Sequence, residues 1–208
     1  MMTARPRPAL VIFDMDDVLC HYDLGRRLRL LASMAGTTAR DVRAALWDSG
    51  FEDAADAGAY PQAGDYLAAF NERLGHALTV DEWLSARRVS MVPMAETLAM
   101  ARAVAMQAEV ALFTNNGPLV KGHFAELFPE AAAIFKTVHC SYEFGTKKPD
   151  PEAYRRLLER LKHRPEEAFF TDDKRSNVQG ARLAGLAAHH FRHAGLLEEE
   201  QAGLGFTL

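Results

Sequence analysis

Short apolar segments that each end in polar residues are the feature that most restricts what this chain can fold into. They lie at residues 9–13, 110–113, 131–135 continuing to 138, and 168–170, with a weaker one near 187–191. Such runs are typical of strands buried on both faces of a parallel sheet, although the run at 131–135 could equally be the end of a helix.

Helical signals lie between most of these runs. Residues 118–128 space their apolar side chains three and four apart, as an amphipathic helix requires. Asp150 and Pro151 form an N-cap and a first helical turn, and residues 177–183 predict another helix that stops at Gly185. The alternation predicts an α/β fold with a doubly wound, Rossmann-like parallel sheet.

The pattern changes within residues 21–94, where no strand run occurs and helical spacing repeats. Thr38 and Thr79 are each followed three residues later by an acid, as in a capping box. We therefore expect a catalytic core of residues 1–20 and 95–208, with an all-helical cap inserted after the first strand.

Composition excludes several functions. The chain has 24 Lys and Arg against 28 Asp and Glu, a net charge of -4, so a nucleic-acid partner is not expected. Cys20 and Cys140 are too few for a four-thiolate zinc site or a disulfide framework. Residues 9–13 are too short a run for a secretory signal, and no stretch is long enough to span a bilayer. We expect a cytoplasmic protein without a membrane partner.

Three acids follow the first apolar run: Asp14, Asp16 and Asp17. They lie at the carboxyl end of a predicted buried strand, where open α/β sheets bind their ligands. Oxygen ligands suit Mg²⁺, which also offsets the repulsion between these acids and a phosphate. The alternative is a loop of solvated acids that caps a helix.

The next strand run is followed by Thr114, Asn115, Asn116 and Gly117, directly before a predicted helix. A hydroxyl, two amides and free backbone N–H groups are what a phosphate oxygen needs. The alternative is a plain turn, because Asn-Gly is a common turn signal.

A lysine pair, Lys147 and Lys148, precedes the rigid Pro149. A fixed ammonium group can neutralise charge on a transferring phosphoryl group, whereas most lysines are solvated. The spacing alone does not show which of the two points inward.

The run at 168–170 leads to Asp172 and Asp173, with Asn177 four residues further on. Asp173 and Asn177 could both offer oxygen to one cation. The alternative for Asn177 is capping of the helix that follows.

Together these motifs resemble those of the haloacid dehalogenase superfamily, specifically its subfamily I phosphatases with a helical cap. The resemblance covers nearly the whole chain, and it is carried by Asp14-x-Asp16-x-Val18, Thr114, Lys148-Pro149, and Asp172-Asp173 with Asn177. It implies a Mg²⁺-dependent phosphatase that hydrolyses a small phosphorylated metabolite through an aspartyl-phosphate.

The resemblance also implies roles for the acids. Asp14 would be the nucleophile, and Asp16 would protonate the leaving oxygen and then activate water. Mg²⁺ would be bound by the carboxylates of Asp14 and Asp173 and by the backbone carbonyl of Asp16. Asp172 and Asn177 could support this metal site.

The remaining roles concern phosphate. Thr114 and Asn115 would hold its oxygens, and Lys148 would stabilise both phosphate and nucleophile. Two departures from the family pattern occur: Asp17 stands where many members carry Gly, and Asn177 where many carry a second Asp. The Asp-Asp-x-x-x-Asn pattern occurs in a branch with sugar-phosphate phosphatases and the phosphatase domain of epoxide hydrolases.

Three other functions remain open. A 2-haloacid dehalogenase would share Asp14 but would not need Asp16. A phosphomutase of the β-phosphoglucomutase type would keep every residue named above. A catalytically silent binding module would lack the nucleophile or a metal ligand, and this chain lacks neither.

Most arginines of the predicted cap are expected to be solvated. The alternative is that they contact an anionic substrate; the candidates are Arg43, Arg73, Arg87 and Arg88.

Overall fold

A parallel sheet forms the centre of the protein in the computed structural model, which describes residues 7–208. In chain order the strands are β1 Leu10–Phe13, β2 Cys20–Tyr22, β3 Met91–Pro93, β4 Glu109–Thr114, β5 Val138–Cys140, β6 Ala168–Asp172 and β7 Ala187–His190. Five of them form the sheet in the order β5-β4-β1-β6-β7, and every neighbouring pair is parallel. The predicted doubly wound α/β core is confirmed.

Helices connect the strands and cover the sheet. They are α1 Leu24–Ala35, α2 Ala39–Arg43, α3 Phe51–Asp56, α4 Ala63–Leu74, α5 Val80–Arg88, α6 Ala95–Ala105, α7 Pro118–Gly122, α8 Phe124–Leu127, α9 Pro129–Ala132, α10 Pro151–Leu161, α11 Arg175–Leu183 and α12 Ala194–Gly203. Shorter turns are a π-helical one at Ala44–Asp48 and 3₁₀ turns at Ser141–Phe144 and Pro165–Glu167.

Strand β1 is the central strand and is buried along its whole length. Its last residue, Phe13, lies opposite Leu112 of β4 and Thr171 of β6. The carboxyl ends of the three strands therefore meet at one edge, and the polar residues that follow them are brought together there.

The segment between β1 and β4 contains the predicted helices, but it is not entirely helical. Strands β2 and β3 pair antiparallel at its base, where the sequence predicted no strand. Each is three residues long, and His21 and Val92 are exposed, so neither leaves an apolar run in the sequence. The cap boundaries at 21–94 stay a prediction, and residues 1–6 of the core range lie outside the described part.

Two further details concern the helices. Of the two possibilities for the apolar run at 131–135, the structure shows the end of a helix, because Pro129 starts the short helix α9 and β5 begins only at Val138. The helix expected at 118–128 is divided into α7 and α8 at His123, whose φ of -118° is not helical. The predicted caps are confirmed, since Thr79 forms a full capping box and the Thr38 hydroxyl accepts the first-turn N–H.

Apolar side chains form one core on each face of the sheet. Leu10 and Ile12 of β1 belong to one core, and Val11 and Phe13 to the other. The second core continues into the inserted helices, where Trp83 is buried with it. Within residues 7–208, no helix is both long and apolar enough to cross a membrane.

Candidate active site

The polar residues that follow β1 and β6 lie against each other. Asp14 directly follows β1, its backbone N–H donates to the Thr171 carbonyl at 3.0 Å, and its side chain is buried. Asp172 ends β6 and is fully buried. Two carboxylates without counter-charge would be costly at this depth, so a cation must be close.

Lys148 supplies that charge. Its Nζ donates to Oδ1 of Asp14 and Oδ2 of Asp172, both at 2.7 Å, and to the Phe113 carbonyl at 3.0 Å. Burial lowers the pKa of Lys148, but the two carboxylates raise it more, and the net shift is upward. Lys147 points elsewhere and contacts Asp53 of the inserted helices. The structure thus places Lys148, not Lys147, among the acids.

The backbone around Lys148 is held from two sides. The Asn115 side chain donates to the Lys148 carbonyl at 2.8 Å and accepts from the Lys148 N–H at 3.0 Å. On the other side, Gly180 of α11 approaches Pro149 so closely that an added Cβ would lie 2.0 Å from the Pro149 carbonyl oxygen. Position 180 therefore requires glycine.

Three carboxylates could hold a metal ion at the strand edge. Asp14, Asp172 and Asp173 each offer an oxygen, and these oxygens lie within 4.8 Å of one another. Oδ1 of Asp173 is buried and has no hydrogen-bond partner among residues 7–208. Such an orphaned oxygen and an all-oxygen donor set fit a hard divalent cation.

Burial dominates the electrostatics of this cluster. It raises the pKa of Asp14 well above the ordinary value, and Asp172 raises it further, against the opposing effect of Lys148. Burial, followed by the charge of Asp172, raises the pKa of Asp173 to about 6. A bound cation would favour the ionised forms that a nucleophile and a ligand need.

Asp172 itself is already fully hydrogen-bonded. Besides Lys148, the Asn177 amide donates to both of its oxygens at 2.9 and 3.0 Å, and the Lys174 N–H donates to Oδ1 at 2.8 Å. The Asn177 side chain thus faces Asp172 and orients it. This leaves the oxygens of Asp14 and Asp173 freer to bind a cation.

The carboxylate of Asp16 lies outside this cluster and lines a cavity of about 320 Å³. Residues after β4, among them Asn115 and Asn116, form another part of its wall. Thr114 is buried beneath, and its hydroxyl accepts from the Asn116 amide at 2.8 Å. A larger cavity of about 640 Å³ contains none of the predicted site residues and lies beside the first residues of β4. The smaller cavity is therefore the candidate substrate site.

Asp17 shows how this chain departs from the family pattern. Its φ of +59° lies in the left-handed region, which favours glycine. Its side chain accepts from the Tyr22 N–H at 3.0 Å, a local bond that glycine would lack. Asp is among the residues that tolerate this conformation, so the turn after Asp16 is kept.

Sequence reasoning named Arg87 only as an alternative substrate contact and missed the other residues that the inserted helices contribute to the cavity. Arg87, expected to be a mostly solvated helix-face residue, has a side chain only 1% exposed and pairs with Asp16. Arg27 is buried between the rings of Trp47 and Trp83. Burial, then the charge of a neighbouring glutamate, raises the pKa of Asp56 to about 8. No local pattern marks these residues, because their environment is formed by tertiary contacts.

A parallel sheet with a cluster of acids at its carboxyl edge and a mainly helical insertion after the first strand defines an α/β protein with a candidate metal site. The comparisons with known proteins name the family. The family model described as haloacid dehalogenase-like hydrolase matches residues 8–185. The chain belongs to the haloacid dehalogenase-like hydrolase family.

Individual relatives match shorter parts of the sequence. Acyl-CoA dehydrogenase family member 10 of Mus musculus is 35% identical over 118 residues, 55% of this chain and 10% of that protein. Phosphatase MT3486 of Mycobacterium tuberculosis is 33% identical over 81 residues, 39% of this chain and 37% of that protein. The matched segments thus span well under two thirds of either relative.

A solved structure matches over most of its length. The HAD family enzyme bt-2542 of Bacteroides thetaiotaomicron, in complex with magnesium and inorganic phosphate, superposes with a TM-score of 0.74. The alignment covers 88% of this chain and 93% of that one at 18% sequence identity. This likeness shows that the two chains share a fold.

Proposed function

We propose that this hydrolase is a Mg²⁺-dependent phosphatase that hydrolyses a small phosphate monoester through an aspartyl-phosphate. The observation that carries the proposal is the bond of 2.7 Å from Lys148 Nζ to Asp14, within a cluster of three acids. A lysine and a divalent cation around a carboxylate suit the charge that develops in phosphoryl transfer.

In the first half-reaction, a carboxylate oxygen of Asp14 attacks phosphorus. The bond from phosphorus to the leaving oxygen breaks, and that oxygen takes a proton from Asp16. The products are the aspartyl-phosphate and a free alcohol.

In the second half-reaction, Asp16 takes a proton from water as the water oxygen attacks phosphorus. The bond from phosphorus to Asp14 breaks, and its electron pair returns to the carboxylate. Inorganic phosphate leaves, and Asp16 is protonated again. The position of Asp16 on the cavity wall supports its action on both leaving group and water.

The cation would be held by the carboxylates of Asp14 and Asp173 and by the backbone carbonyl of Asp16, with support from Asp172 and Asn177. When bound, Mg²⁺ supplies positive charge that offsets the repulsion between Asp14 and the phosphate dianion. The unpartnered Oδ1 of Asp173 supports this assignment.

The phosphate would be held by Thr114, Asn115 and Lys148. Since the Asn115 side chain is bonded to the backbone of Lys148, we assign phosphate binding to the Asn115 backbone N–H. The Lys148 ammonium would act on both the phosphate and Asp14.

The cavity size supports a small substrate, and the printed name of the Mycobacterium tuberculosis relative supports phosphatase activity. The test is phosphate release from a panel of sugar phosphates, nucleotides, phosphoglycolate-type acids, lipid phosphates and an aryl phosphate. We expect Mg²⁺-dependent release that EDTA and Asp14→Asn abolish. Folded, metal-loaded protein that releases no phosphate from the whole panel would contradict the proposal.

Isomer analysis of the sugar phosphates and an added 2-chloro acid separate the alternatives. A phosphomutase would form an isomer of a sugar phosphate without net phosphate release. A dehalogenase would release chloride from a 2-chloro acid instead. We expect neither product.

A further inference from the structure

Arg87 connects the inserted helices to the residue proposed as the general acid and base. It lies at the end of α5, and its Nη2 donates to both carboxylate oxygens of Asp16 at 2.8 and 2.7 Å. The two residues are separated by 71 positions in the sequence, and both line the 320 Å³ cavity.

The surroundings of Arg87 leave its buried guanidinium in need of the Asp16 carboxylate as long as the inserted helices cover the site. Its side chain is 1% exposed, its guanidinium lies 4.2 Å from the ring centroid of Tyr22, and its Nε has no partner among residues 7–208. Burying a guanidinium is unfavourable unless a carboxylate compensates its charge. Asp16 is the carboxylate that forms a salt bridge with it.

From the side of Asp16, the contact restricts orientation. The Asp16 side chain is 25% exposed, so water alone could solvate its carboxylate. With both oxygens bound to one buried nitrogen, however, the carboxylate is not free to rotate. A general acid must lie within about 3 Å of the atom it protonates, so whatever fixes this side chain controls the step.

We propose that Arg87 is a positioning residue that fixes Asp16 for proton transfer only while the cap lies over the site. This inference rests on the proposed phosphatase activity. Arg87 does not touch the reacting atoms; it acts through the Asp16 carboxylate. Lifting α5 would remove the guanidinium and release Asp16.

The test compares two esters whose leaving groups differ in basicity, with kcat/KM as the measured quantity. Phenyl phosphate needs a proton on its leaving oxygen, whereas 2,4-dinitrophenyl phosphate does not. For Arg87→Met we expect kcat/KM to fall about 10- to 100-fold for the phenyl ester and less than about threefold for the dinitrophenyl ester. Arg87→Lys should recover part of the loss for the phenyl ester, because an ammonium can still hold one oxygen.

Arg88 is the matched control. It is the next residue of α5, and it also pairs with the core, through Glu126 at 2.9 Å, but it is half exposed and does not line the cavity. Arg88→Met should change kcat/KM for the two esters equally and little. A second control is the Asp16→Asn/Arg87→Met double variant, which should be no less active than Asp16→Asn.

The outcomes are distinct. Equal losses for both esters in Arg87→Met, or a double variant much less active than Asp16→Asn, would mean that Arg87 only docks the cap. An undiminished phenyl ester rate would also overturn the inference. If Arg87→Met does not fold, Arg87→Lys decides, since it too should lower the phenyl ester rate selectively. Wild-type protein inert towards both esters would refute the phosphatase proposal itself.

Discussion

Gly180 lies directly against the backbone that carries Lys148, and we expect Gly180→Ala to reduce stability and activity together. An added Cβ would lie 2.0 Å from the carbonyl oxygen of Pro149 and 2.8 Å from its carbonyl carbon. Both neighbours are backbone atoms, so no side chain can rotate away. The Lys148 segment or α11 must move by about 1 Å or more.

The expected cost combines two opposing effects. Overpacking of this kind costs about 1 to 3 kcal/mol, and the rigid backbone on both sides favours the upper end. Alanine is better than glycine inside a helix by about 1 kcal/mol. We therefore expect a loss of about 2 kcal/mol in the free energy of unfolding, or about 4 to 8 °C in Tm for a chain of this size. Displacing Lys148 by about 1 Å should lower kcat/KM roughly 100-fold.

Urea unfolding and hydrolysis of an aryl phosphate measure the two effects on the same protein. Gly64→Ala is the matched control, because Gly64 is exposed in α4 and an added Cβ there meets no atom of residues 7–208 within 4 Å. It should leave activity unchanged and stability equal or slightly higher. A Gly180→Ala protein as stable and as active as wild type would refute the reasoning.

Three further predictions follow from single contacts. Lys148→Met should lower kcat/KM at least about 100-fold, because Asp14 and Asp172 lose their shared cation. Lys147→Met should have a much smaller effect, and similar losses of kcat/KM in both variants would contradict the assignment. Folding raises the pKa of Asp56 from the ordinary 3.8 to about 8, so the folded state keeps a proton that the unfolded chain has lost. The contribution of Asp56 to stability is complete below pH 3.8 and is lost as the pH rises through about 8. Wild-type unfolding free energy, measured by urea titration, should therefore fall over this pH range, and the fall should be smaller in Asp56→Asn. An equal fall in both proteins would count against the prediction. Thr79→Ala removes the capping box of α5 and should lower the unfolding free energy by about 1 kcal/mol, or Tm by roughly 2 to 4 °C, without a change in kcat/KM. An unchanged Tm in thermal melts would show that the capping box does not stabilise the protein.

Much of the core could be predicted because its signals are local. The strand runs around β1, β4 and β6 are buried on both faces, which leaves continuous apolar segments in the sequence. The residues that follow them had to meet, since the carboxyl ends of parallel strands share one edge of the sheet. This is why the meeting of Asp14 and Asp172 could be predicted, whereas the choice of Lys148 over Lys147 rested on the family resemblance.

The errors lie where local signals are weak or ambiguous. The ribbon of β2 and β3 is too short and too exposed to leave a pattern. The apolar run at 131–135 allowed either a strand or a helix end, because a short apolar run alone does not distinguish the two. The burial of Arg87 was not predicted, because a cationic residue near a helix end looks solvated until its partner, 71 residues away, is placed beside it.

Trapping the covalent intermediate tests the central claim, that Asp14 is the nucleophile, most directly. Protein mixed with Mg²⁺ and 2,4-dinitrophenyl phosphate is quenched in acid, reduced with borohydride and digested for peptide mass spectrometry. We predict reduced, formerly phosphorylated Asp14 in the wild type, more of it in Asp16→Asn because water attack is slowed, and none in Asp14→Asn, which should not turn over. Phosphate release by wild-type protein with the label on another residue, or sustained turnover by Asp14→Asn, would contradict the account.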